Sequence, residues 1–174
     1  MKGEFSLLEE IKKVIQNSFL DEIYLTGFVD FEEKELSEFV SNSDYLIFEF
    51  GKQLIKIQSV EQYSKISVSK VNSIQIDIEL EDVKPAKSRI SGIIFNNPLI
   101  DNKIVDIEFY NLKVNSTELL CDAMGFTLSN DQMIFIDPSF LGINIGDLKV
   151  KKLWENNRRE DYISDTTLIK FTNK

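Results

Sequence analysis

Asp44-Tyr45-Leu46-Ile47-Phe48-Glu49-Phe50-Gly51-Lys52-Gln53-Leu54-Ile55-Lys56-Ile57 is the stretch that decides the fold. Leu46, Phe48 and Phe50 alternate with other residues up to Gly51-Lys52, and Leu54, Ile55 and Ile57 follow. Period-two alternation on both sides of a short glycine-containing turn predicts a β-hairpin with one buried face. The same habit continues outward. Ile23 and Leu25 alternate with Tyr24 and Thr26 from Glu22 to about Asp30, and further strands are expected over 64–69, 71–80, 89–95, 103–110, 119–128 and 133–136. Ile74, Ile76, Ile78 and Leu80 would share one face of the strand at 71–80. Lys84-Pro85, Asn96-Asn97-Pro98, Asp101-Asn102 and Ser129-Asn130-Asp131 read as turns, and so does Asp137-Pro138. Residues 32–40 fit either a short helix, with Leu36, Phe39 and Val40 on one face, or an irregular acidic loop.

Ahead of the strands, Ser6-Leu7-Leu8-Glu9 has the form of a capping box. Leu8, Ile11, Ile15 and Phe19 follow at helical spacing, so 6–19 is expected to be an amphipathic helix laid across a sheet. A repetition also stands out. Phe48-Glu49-Phe50 with Gln53-Leu54-Ile55-Lys56-Ile57 is echoed by Phe126-Thr127-Leu128 with Gln132-Met133-Ile134-Phe135-Ile136, and two such hairpins could face each other across a shared core. The expected class is α+β and mostly antiparallel β: a sheet sandwich or partly open barrel of about 8–10 strands with an N-terminal amphipathic helix. At 174 residues one globular domain is expected over 1–174. It divides into the helix, a strand-rich body at 22–136, and a C-terminal turn and basic tail at 137–174. Leu153 and Trp154 would anchor that tail, as a short helix or an edge element.

Composition narrows the chemistry. The chain has no histidine, which removes the commonest general base and zinc ligand and every Ser-His or Cys-His pair. No phosphate-binding glycine loop is present among its seven glycines. The lone Cys121 has Asp122 beside it, and a neighbouring carboxylate opposes thiolate formation, so a buried structural cysteine is expected. Ser67-Val68-Ser69-Lys70 matches an S-x-x-K pattern without its companion motifs and in strand-like surroundings. Asn115-Ser116-Thr117 matches a glycosylation acceptor in a chain whose start lacks the features of an export signal. Asp77, Glu79 and Glu81 would lie on one side of a strand about 7 Å apart, a pattern shared by a hard-cation site and by any solvated strand face. Asp106 and Glu108 raise the same pair of readings. No cofactor, metal or catalytic residue is expected.

Charge gives the one functional lead. The net charge is −9, and residues 21–49 hold nine acids against Lys34 alone. An acidic field repels phosphate backbones and attracts basic proteins, so nucleic acid is not expected as a partner and a basic protein is. With no apolar run of membrane-spanning length and a single cysteine, a cytoplasmic chain outside the membrane is expected.

Tyr45-Leu46-Ile47-Phe48-Glu49-Phe50-Gly51, Ile107-Glu108-Phe109-Tyr110 and Phe135-Ile136-Asp137-Pro138-Ser139 with Gly142 and Gly146 together resemble small uncharacterised bacterial strand-rich proteins, some of them similar to immunity proteins of polymorphic toxin systems. The resemblance spans roughly 20–150 and implies a non-enzymatic module that neutralises a basic toxin. Its contacts are expected from the acidic window: Phe31, Glu32, Glu33, Glu35, Glu38 and Phe39. The alternatives are a small-molecule or lipid-binding β-domain with an interior cavity and, behind it, a metal-dependent hydrolase using the strand carboxylates.

Overall fold

The computed structural model describes residues 6–30, 37–76, 81–139 and 142–171. Ser6 starts helix α1 (Leu7–Asn17), its Oγ accepting from Glu9 N and its carbonyl from Glu9 and Glu10 N. The Glu9 carboxylate accepts from Lys12 Nζ at 2.7 Å, a helical pair with a single turn between its partners. Ile11 and Ile15 are buried. Phe19 departs from the expected pattern. It lies past the helix end and is 44% exposed, because the chain turns at Ser18 and sends Leu20 inward instead. The open carbonyls at this helix end accept from Lys103 Nζ, at 3.2 Å for Ile15 and 2.9 Å for Ser18.

The strands form two antiparallel sheets. In the first, β1 (Glu22–Asp30), β2 (Glu38–Phe50), β3 (Gln53–Val60), β4 (Lys65–Val71), β5 (Val83–Arg89), β7 (Lys113–Val114) and β8 (Leu119–Cys121) run in the order β5-β1-β2-β3-β4-β8-β7. In the second, β6 (Ile104–Tyr110), β9 (Ala123–Leu128), β10 (Met133–Ser139), β11 (Gly142–Gly146) and β12 (Thr166–Lys170) run β11-β10-β9-β6-β12. The layers stack as a sandwich, with neither sheet closed into a barrel. The two echoed hairpins, β2–β3 and β9–β10, fall one in each sheet. Phe48 and Phe126 meet between them with ring centroids 5.5 Å apart, at the middle of a shared core. Gly51, at φ +60°, supplies the left-handed backbone of the first turn.

Several expected strands fall differently, each for a local reason. Residues 72–76 are not a strand; they leave β4 across the outer face of the first sheet on the way to β5 at its far edge. That face is unusually apolar, with Tyr24, Tyr45 and Ile47 buried, and Ile74 packs against them while Tyr45 Oη donates to Gln75 O at 3.2 Å. Asp77, Ile78, Glu79 and Leu80 lie outside the described residues, and Glu81 is exposed. The strand expected at 89–95 ends at Arg89 and gives way to the short helix α2 (Ser91–Ile94). Lys84-Pro85 is no turn but part of β5, where an edge position lets Pro85 lack its N–H. Asp137-Pro138 is likewise inside β10, in the segment beyond Ile136 that pairs with β11 on one side only. The strand expected over 119–128 breaks at Asp122, where the chain passes from the first sheet to the second.

The described strands number twelve rather than about 8–10, the surplus coming from short edge elements such as β7 and β11. The C-terminal region is built into the sandwich. Helix α3 (Leu148–Asn156) sets Trp154 against Tyr110 and Phe135, at centroid distances of 4.9 and 5.5 Å, and β12 then pairs with β6. Of the segment read as helix or loop, residues 38–40 belong to β2.

Candidate functional site: two acidic ends of β1

Past Leu25 the register between β1 and β2 shifts, so that Leu25 faces Leu46 while Thr26 faces Asn42. Beyond the shift the outer half of β2 no longer pairs with β3, and with the outer half of β1 and with β5 it forms a three-stranded arm. Gly27 makes it possible, since a Cβ there would sit 2.0 Å from the Val40 carbonyl oxygen. Of the six expected contact residues, Glu38 and Phe39 lie on this arm, Glu38 exposed opposite Asp30 and Phe39 36% exposed. Val40 is exposed beside them. Phe31, Glu32, Glu33 and Glu35 lie outside the described residues. β5 places Lys84 opposite Val29 and Lys87 opposite Thr26, so the arm carries cations as well as acids.

Asp21, Glu22 and Glu49 gather at the opposite end of β1. Glu22 and Glu49 face each other directly across β1 and β2, a like-charged pair that ordinarily costs stability. Each is held by donors: Ile23 N at 2.9 Å and Ser91 N at 3.2 Å for Glu22, and Tyr24 Oη at 2.9 Å for Glu49. Burial first, and then the bond to Glu49, push the Tyr24 hydroxyl above its ordinary pKa. Asp21 accepts from Gly51 N at 2.6 Å. The linear window therefore becomes two surfaces, which the charge count in the sequence merges.

Several other polar groups are engaged structurally. Asp122 accepts from Lys65 Nζ at 2.7 Å, from Asn111 Nδ2 at 2.7 Å and from the Tyr162 hydroxyl, and so ties the sheet switch to the C-terminal region. Burial raises its pKa, but these donors outweigh burial and hold the carboxyl below the usual range. Partners 57 residues apart in sequence left no signal for this hub. Cys121 is buried, and burial with Asp122 beside it pushes the thiol up to about 12. Ser67 Oγ donates to Glu118 within a strand, where the S-x-x-K match has no helical setting. Glu108 accepts from Lys151 Nζ at 2.8 Å and Tyr110 Oη at 3.0 Å. Asp137 has only Asn144 to offset burial, and its carboxyl is pushed up to about 6.

Among the described residues no group of three acids and cysteines is placed to hold a metal ion, and no helix is long and apolar enough to cross a membrane. One cavity between the sheets, lined by Phe48, Phe126, Ile107 and their neighbours, amounts to about 10 Å³, at the lower bound for one water. Comparison of the chain with known protein families, with curated proteins and with solved structures finds no match in any of the three.

Proposed function

We propose that the chain is a non-enzymatic, cytoplasmic protein-binding module whose partner is a basic protein. The observation that carries this reading is the arm, an edge on which Val40 is exposed on the same face as Asp30 and Glu38 while Phe39 is exposed on the other. Exposed apolar side chains beside acids suit a docking surface for a basic protein: the charge speeds encounter and the apolar contacts supply affinity. Neutralising a cognate toxin by covering its basic active surface is the form of this function that the resemblance to immunity proteins suggests. The tight packing around Phe48 and Phe126, where the cavity between the sheets holds about 10 Å³, weighs against the small-molecule or lipid reading.

The test is affinity capture from the producing cells at low and high salt, with the tagged protein compared against an Asp30→Lys/Glu38→Lys variant. One stoichiometric basic partner, released by salt and weakened by the variant, is expected. Equal retention by both proteins at both salt concentrations would remove the arm from the account.

A further inference from the structure

Between β3 and β4, Glu61, Gln62 and Tyr63 all have left-handed backbone, at φ +50°, +57° and +63°. Residues with side chains seldom adopt it, and three in succession make a strained turn. Ser64 closes it, its N donating to Val60 O at 3.2 Å and its Oγ to Glu61 O at 2.7 Å. Strain of this kind collects where a side chain has to be presented, and here that side chain is Tyr63, 46% exposed. Tyr63 lines an open cleft of about 220 Å³ that also has Pro138, Trp154 and Tyr162 in its walls. The charged side chains of its lining are Lys65, Arg158 and Asp122.

Asp122 already accepts from Lys65 Nζ, Asn111 Nδ2 and the Tyr162 hydroxyl. Arg158 has no such match: among the described residues no carboxylate is paired with it. Its guanidinium carbon stands 4.3 Å from the ring centroid of Trp154 and 4.8 Å from that of Tyr162. Those rings and a bond to the Tyr162 hydroxyl hold the guanidinium, which has five N–H donors, and leave part of its fork to a ligand. Trp154 is anchored in turn against Tyr110 and Phe135, so the cation is positioned before anything binds. The cleft therefore carries one surplus positive charge on a chain of net charge −9. We infer that it binds a small aromatic monocarboxylate. The carboxylate accepts from the planar fork of Arg158 and from Lys65 Nζ, which has protons beyond the one given to Asp122, and the ring lies against Tyr63 and Pro138. A phosphate dianion would bring a second charge toward Asp122, so a single negative charge fits better. Size points the same way: a benzene ring is housed by about 150 Å³ and drug-sized pockets begin near roughly 300 Å³, which leaves this cleft with room for one ring and a short acid. The cleft opens to solvent outside the packed interior, and the inference does not rest on the protein-binding reading.

Trp154 is the only tryptophan of the chain, so its fluorescence and its indole N–H resonance report on the cleft directly. The test is a titration of the protein, at fixed ionic strength, with phenylacetate, phenylacetamide, acetate and phenyl phosphate. Phenylacetate should move both signals in a saturable way and bind about tenfold or more tightly than each of the others. Arg158→Gln should weaken phenylacetate about tenfold, and Tyr63→Asn, which suits left-handed backbone but removes the ring, should weaken it several-fold. Lys52→Gln, a cation removed from the β2–β3 turn instead, should leave the titration unchanged. An equal response to phenylacetamide would reduce the cleft to an aromatic patch, an equal response to acetate would make it a bare anion site, and tighter binding of phenyl phosphate would make it a phosphoester site. No saturable change at about 10 mM phenylacetate, the weak end for a ligand of this size, or full binding by Arg158→Gln would remove it; each of these overturns the inference. Should Arg158→Gln fail to fold, the comparison of the four compounds on the unmodified protein decides alone.

Discussion

The two ends of β1 come from one acidic stretch of sequence, yet they differ in what stands opposite the acids. On the arm, Asp30 and Glu38 share a face with Lys87 from β5, and Lys84 lies on the opposite face across from Val29. At the other end Glu22 faces Glu49, and Asp21 and Asp101 line a pocket with no base in its lining. A count of acids along the chain treats these regions alike. The fold separates them, because β5 arrives at the arm from a part of the sequence 50 residues away. The same contrast recurs in the interior: Asp122 is met by Lys65 and two further donors, whereas Asp137 has only Asn144. What an acid contributes is set by its spatial partners, and each variant below changes one side of that contrast.

The largest effect belongs to the arm's root. Gly27→Ala drives a methyl group into the Val40 carbonyl and should destabilise the protein by about 3 kcal/mol in denaturant unfolding. A neutral outcome would mean that the register shift launching the arm is not as described. Next comes Asp122→Ala, which leaves Lys65, Asn111 and Tyr162 without their shared acceptor and should cost about 2–3 kcal/mol at pH 7. Because the folded pKa of Asp122 is depressed, its contribution is present above the unfolded value of about 4 and lost as pH falls through the folded one. The variant's deficit should therefore shrink in acid.

Asp137 has the opposite sign. Its folded pKa of about 6 lies above the unfolded value, so the folded state holds a proton that the unfolded state releases, and stability falls as pH rises from about 4 to about 6. Asp137→Asn should raise stability at neutral pH by about 2 kcal/mol and leave it unchanged below pH 4, read from unfolding midpoints across pH. A gain that persists in acid would point to packing instead. Smaller still is Asp30→Lys/Glu38→Lys, which should weaken partner binding about tenfold and flatten its salt dependence with little change in stability. Leu99→Ser closes the series, expected within about 0.5 kcal/mol in stability because the side chain is 94% exposed.

How far the sequence could be read follows from where each signal resides. Alternation at Leu46, Phe48 and Phe50, and its echo at Phe126 and Leu128, is written in adjacent residues, and the two hairpins meet at Phe48 and Phe126 as that pattern implies. The helix start at Ser6 is equally local. Pro85 and Pro138 were opaque because a proline marks a turn unless the strand has an unpaired side, and edge position belongs to the sheet as a whole. Ile74 carries the period of a strand, yet its surroundings are set by an apolar outer face that it covers at Tyr24 and Ile47. For the candidate site, the exposure of Glu38 could be read from its charge. The cleft at Arg158 could not be read, since it joins the turn at Tyr63 to side chains roughly 90 residues later.

The most direct test of the central claim is the salt-resolved capture of a partner by the unmodified protein and by the arm variant, with the bound protein weighed and its stoichiometry determined. The account predicts one basic protein, bound one to one at low salt, released at high salt and held about tenfold less tightly by Asp30→Lys/Glu38→Lys. Recovery of the protein alone at low salt, or of a partner indifferent to both salt and charge reversal, would contradict it.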